Sequence, residues 1–143
     1  MERSIGEADL ARKEKDDAAA RVMILYRYDS EKVSLLERAK FDGAKTMRGE
    51  YPPHAMLVYA WAQGVEKGAI VTSPYSDRVK IIAVESGASS AGDWVAEKRN
   101  HLEDYRRAFG AEPTAIEAVA LMVDTDNTCS EATAWFRSLR FGR

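Results

Sequence analysis

The sequence predicts a mostly antiparallel β domain with two short helices, and three observations carry that prediction. Several short runs are rich in β-branched and aromatic residues, the composition of buried strands. Only two segments combine helical apolar spacing with capping residues. No strand–helix–strand alternation organises the chain, so a doubly wound parallel sheet is not expected.

The elements follow in order. Residues 7–17 alternate in charge and are helical at most by propensity. AAARVMILYRY, from Ala18, reads as a buried strand. Ser30 is a candidate N-cap, and Val33, Leu35, Leu36 and Ala39 mark an amphipathic helix over Glu31 to Lys40. FDGAKTMRGEYPP then reads as a connection, broken by Gly43, Gly49 and Pro52-Pro53. HAMLVYAW is a strand apolar on both faces, with Met56, Val58 and Ala60 opposing Leu57, Tyr59 and Trp61. AIVTS is a short strand and DRVKIIAVES a longer one; SGASSAG is a loop of small residues. Asn100 caps a helix from His101 to Phe109, with Glu103 placed for a capping box, one face formed by Leu102, Tyr105 and Phe109, and Gly110 as its stop. TAIEAVALMV and ATAWFRSLRF read as strands on either side of a DTDNT turn.

With 143 residues the chain fits one domain over 1–143, opened by a polar segment at 1–15. Hydrophobic residues at 45% and charged residues at 31% describe a globular chain rather than a disordered one. No apolar run approaches the roughly 20 residues of a membrane span. The start, MERSIGEADLARKEKDD, lacks the apolar region of a signal peptide. A net charge of −2 argues against nucleic acid as partner, and the basic tail RSLRFGR reads as a solvated terminus. Cys129 is the sole cysteine, which excludes an intrachain disulfide and disfavours a thiolate metal cluster or a Cys–His pair.

Chemistry-bearing residues fall in four places. Asp124, Thr125, Asp126, Asn127 and Thr128 interrupt two apolar runs, either as a turn that satisfies its own backbone or as a binding loop. An EF-hand is excluded, because its sixth and twelfth positions hold Cys129 and Trp135 instead of Gly and Glu. Asp124, Asp126 and Asn127 remain hard oxygen donors of the kind calcium takes. Asp16-Asp17 and Arg21 are either a solvated charge cluster or paired acids at a strand mouth. Arg99, Asn100 and Asp104 surround a helix start, where an arginine–carboxylate pair can orient the loop. Tyr59 and Trp61 share one side of a strand, as core residues or as a stacking platform for sugar rings. Lipase, zincin, P-loop and dinucleotide motifs do not occur.

Five strings in order, DLARKEKDDAAARV, LVYAW, SPYSDRVKIIAVESG, WVAEKRNHLEDYRRAFG and VALMVDTDNTCSEATAWF, resemble a bacterial family catalogued as domain of unknown function 3047. The resemblance spans Asp9 to Phe136. It implies a β-sandwich of jelly-roll or galactose-binding type on exported proteins, periplasmic or extracellular. It also aligns the family's polar positions with Asp16, Asp17, Arg21, Tyr59, Trp61, Arg99, Asn100, Asp104 and the run Asp124 to Thr128. Two departures stand out: Cys129 replaces a glycine, and Arg137-Ser138 replaces a Gly-Asp pair. Relatives also place further strands before the Asp-Asp segment, where about fifteen residues precede it here.

Three functions remain open at this point: a non-catalytic module binding a glycan or other polar extracellular ligand, a hydrolase using two of Asp16, Asp17, Asp104, Asp124 and Asp126, and a structural or assembly domain. If the DTDNT run is more than a turn, Asp124 or Asp126 should reach Arg21 or Arg99 as an ion pair. The apolar strands also call for a covering layer, either the two helices or a second copy in a homodimer, and the short helices favour the second copy.

Overall fold

Alternation along AAARVMILY sets an interior strand. In the computed structural model, which describes residues 8–10, 12–126 and 131–142, this stretch is β1 (Ala18–Tyr26). β2 (Ala55–Ala62) and β5 (Ile116–Asp124) flank it, both antiparallel. β4 (Val79–Ser86) runs parallel to β2, and the short β3 (Ile70–Thr72) closes that edge antiparallel to β4. The result is one mixed five-stranded sheet in the order β3-β4-β2-β1-β5. The mainly β, mostly antiparallel reading holds. The parallel step departs from it: after β2 the chain turns, forms β3 at the edge and comes back as β4 in the direction of β2.

Each face of the sheet has its own core. On one face Ile24, Tyr26, Leu57, Tyr59 and Ile82 pack with Tyr105 from α2 (His101–Phe109). On the other, Val58, Ala60, Ile81 and Ala83 pack with Leu10 from the N-terminal segment. Leu10, Tyr26, Leu57 and Ile82 are each 0% exposed, and burying one such side chain contributes roughly 1.5–3 kcal/mol.

The helices test the capping arguments. α2 has the predicted bounds: Asn100 Oδ1 accepts from the Leu102 and Glu103 amides, and Gly110 closes the helix at φ 66. Of its predicted apolar face, Tyr105 and Phe109 pack but Leu102 is 42% exposed. The other helix differs more. Ser30–Lys32 forms a separate 3₁₀ turn, and α1 runs from Leu35 to Arg48, straight through Gly43. Its cap is Ser34, which has a reciprocal partner in Glu37; Gly43 keeps its amide and only weakens the helix by about 1 kcal/mol. The face expected to pack turns outward, with Leu35 83% and Leu36 71% exposed. Phe41 is the anchor instead, stacked on Tyr28 at 4.2 Å, while Glu37 pairs with Arg78 at 2.6 Å.

The strand expected in ATAWFRSLRF does not form, and residues 131–142 pair with no strand. Ser138 sits at φ 56, outside the extended region a strand requires. Among the described residues there is no second sheet: α2 and residues 131–142 lie over one face. No described helix is long and apolar enough to cross a membrane.

Candidate functional site

Strand parity divides the candidate residues. Along β1, Ala20 and Val22 point to one face and Arg21 to the other. Tyr59 and Trp61, opposite Val22 and Ala20 in the ladder, share the first face. Arg21, opposite Ala60 and Met122, belongs to the second. Both groups sit at the same end of the sheet, on opposite sides of it.

The first group opens onto a pocket of about 820 Å³. Ala20, Val22, Tyr59, Trp61 and Leu121 floor it, residues 92–99 form a wall, and residues 135–142 cross over it. A register shift beyond Ala60 lets adjacent Val84 and Glu85 both line it. All three tryptophans of the chain, Trp61, Trp94 and Trp135, are in its lining. Trp94 is 61% and Trp135 52% exposed, which leaves ring surface open to a ligand. The Arg137 guanidinium stands 4.8 Å over the Trp94 ring. Trp61 is half-buried and donates its indole N–H to the Gly87 carbonyl at 2.8 Å.

Tyr59 is a core residue rather than an open platform: it is 8% exposed, and its hydroxyl donates to Asp104 Oδ2 at 2.8 Å. Asp104 is the knot of this wall. Its Oδ2 also accepts from Arg99 Nε at 3.0 Å, and its Oδ1 from Arg99 Nη2 at 2.7 Å and Arg107 Nη2 at 3.3 Å. The expected arginine–carboxylate pair thus exists, and it holds Arg99 at the pocket. Asn100 does its capping work and is not among the pocket residues. Burial, then the bond to Asp104, pushes the Tyr59 hydroxyl far above its ordinary pKa. His101 lies at the margin, with Nδ1 3.1 Å from the buried Tyr26 hydroxyl. Burial lowers its pKa, so the ring is neutral at pH 7. Lys67 bridges Glu85 of β4 and Glu97 of the wall. The pocket therefore presents aromatic faces, guanidinium donors and carboxylate acceptors.

The second group is acidic. Arg21 Nη2 donates to Asp16 Oδ1 at 3.1 Å and to the Asp16 carbonyl at 2.8 Å. The β1–β5 register sets Ala18 against Asp124 and so carries the acids together. Oxygens of Asp17, Asp124 and Asp126 all lie within 4.8 Å of one another. Direct pairing of Asp124 or Asp126 with an arginine, the sequence expectation, is not what forms: Arg21 takes Asp16 and Arg99 takes Asp104, while Asp124 senses Arg21 at longer range. Burial raises the pKa of Asp16 against the pull of Arg21. Burial also raises that of Asp124, with the Asp126 carboxylate adding to it. The three clustered acids are hard oxygen donors of the class calcium takes, and Asp17 joins Asp124 and Asp126 there. Asn127, Thr128 and Cys129 lie outside the described residues.

Both raised carboxyls favour the folded state when protonated. Their stabilising share is present below the ordinary carboxylate pKa and is lost as pH rises through the raised folded values. Asp126→Asn removes one repulsive charge, so in metal-free buffer it should raise the melting temperature at pH 7 and leave it unchanged near pH 4. The gain should stay below about 1 kcal/mol, because Asp126 is exposed. A lower melting temperature at pH 7 would show that the cluster attracts rather than repels.

The family model described as a protein of unknown function, DUF3047, matches residues 1–140. The chain belongs to this family. Among the curated proteins and among the solved structures, none matches it. The strings that carry the DUF3047 resemblance map onto both groups: LVYAW is the pocket floor, WVAEKRN its wall, and DLARKEKDD with VALMVDTD builds the acidic cluster. Sequence reading missed Trp94, taken as a lead-in, and Trp135, taken as part of a strand. The available signal was their type, since large aromatics in stretches without regular structure need a reason to be there.

Proposed function

We propose that the DUF3047 chain is a non-catalytic module that binds a saccharide in its tryptophan-lined pocket. The observation that carries this reading is the convergence of Trp61, Trp94 and Trp135, from three distant segments, beside Arg99, Glu85 and Glu97. Sugar rings present apolar C–H faces, which stack on indoles, and hydroxyls, which bond to guanidinium and carboxylate groups. On this reading the sheet is one layer of a jelly-roll or galactose-binding-type sandwich, with α2 and residues 131–142 lying where a second layer would. An extracellular or periplasmic setting fits such a ligand. The hydrolase alternative has less support: the carboxyls with raised pKa, Asp16 and Asp124, sit across the sheet from the pocket, and Asp104 is occupied by two arginines and a tyrosine.

Because every tryptophan lines the pocket, tryptophan emission excited selectively reports on it alone. Saccharides that score on a glycan array should change that fluorescence saturably. Trp94→Ala should weaken binding at least tenfold, about 1.4 kcal/mol, with an unchanged melting temperature, since the ring is mostly exposed. An array without hits, together with flat fluorescence up to millimolar sugar, would overturn the reading.

A further inference from the structure

The two edges of the sheet are built differently. β3 is three residues long, and Lys80 and Thr72 bond beside it; short, charged edges resist further pairing. β5 is nine residues long and, among the described residues, bonds within the sheet only to β1. From Ala118 to Val123 it holds no charge, proline or glycine, and its register against β1 is regular from Ala118 to Met122. Its apolar side chains meet solvent on both faces: Val119 is 36%, Leu121 48%, Met122 36% and Val123 40% exposed.

We propose that two copies of this chain pair β5 to β5, antiparallel about a twofold axis, into one continuous ten-stranded sheet. A second copy fits this edge because a strand paired antiparallel with itself is self-complementary by construction. With Ala120 at the axis, Val119 meets Leu121 of the other copy on one face and Ala118 meets Met122 on the other. Every central pair is then apolar, and no charge faces its like.

The area at stake is modest. Ile116 and the four residues above expose roughly 350 Å² of side chain per copy, so two copies bring about 700 Å² to the shared edge. That is the weak class of association, below about 1,200 Å², so the pairing is expected at high protein concentration. Paired strands point partner residues to the same side, so both pockets open on one face of the dimer.

Light scattering at about 100 µM should give twice the chain mass of 15.9 kDa. Ala120→Lys sets like charges together at the axis and should return the monomer with its circular dichroism intact. Ala120→Cys in a Cys129→Ser background should cross-link two copies under mild oxidation, because residues facing across such an axis stand about 4.5–5.5 Å apart. This arm decides the matter if the lysine variant fails to fold. A wild-type monomer at that concentration overturns the proposal, and so does a dimer that neither yields to Ala120→Lys nor cross-links through position 120.

Discussion

Arg21→Ala is expected to lower the unfolding free energy by about 3–5 kcal/mol at pH 7, the usual consequence of removing one partner of a buried ion pair. Arg21 is 7% and Asp16 5% exposed, and Asp17, Asp124 and Asp126 gather beside them. Without the guanidinium, Asp16 keeps its desolvation and its acidic neighbours but loses its counter-charge, so its folded pKa moves further above the unfolded value. A raised carboxyl favours folding below the unfolded pKa and opposes it once pH has risen through the folded pKa. The loss should therefore be large at pH 7 and much smaller at pH 4, read from urea denaturation at the two values. Equal losses at both would mean that Arg21 acts through packing of its stem instead of its charge. Its Nε, buried without a partner among the described residues, already marks the site as imperfectly satisfied.

Asp104→Ala should lower stability by about 2–4 kcal/mol. The largest share comes from the Tyr59 hydroxyl, buried and left without its acceptor, a loss of about 1–3 kcal/mol. Arg99 and Arg107 reach solvent and can rehydrate, which caps the total. Asp104→Asn keeps an acceptor for Tyr59 and drops the ionic part, so thermal melts should place it between wild type and alanine. The same variants should weaken saccharide binding, since Arg99 is held at the pocket wall through Asp104. An Asp104→Asn protein as unstable as the alanine variant would show that charge, more than the Tyr59 bond, pins α2 to the sheet.

Much of the fold was legible because its signals are local. α2 lies between Asn100 and Gly110, and both ends are decided within a turn of the helix. α1 was misread for an equally local reason: Ser30 and Ser34 both look like caps, and only Ser34 has Glu37 three positions on to bond back. The tail misled because Trp135, Leu139 and Phe141 suit a strand, while Ser138 leaves the extended region. Pairings a few residues apart, Asp16 with Arg21 and Arg99 with Asp104, were within reach of sequence reasoning. The partition of the site was not. It depends on the parity of β1, which turns Arg21 away from Val22 and so separates the acids from the aromatics. The meeting of Trp61, Trp94 and Trp135 depends on where a loop and a tail settle, which no periodicity encodes.

The place of β1 in the sheet bears on how the chain assembles in time. β1 leaves the ribosome before the other strands of its sheet, and it takes β2 within a few tens of residues. Its other neighbour, β5, follows roughly a hundred residues later. Ladders between distant segments close a long loop before any of their bonds form, and such pairings make folding slow. Through that interval β1 stands as the open margin of a partial sheet, with Val22 and Ile24 beside unpaired backbone. A nascent chain held there carries the hazard of every apolar edge, the recruitment of a strand from the wrong molecule.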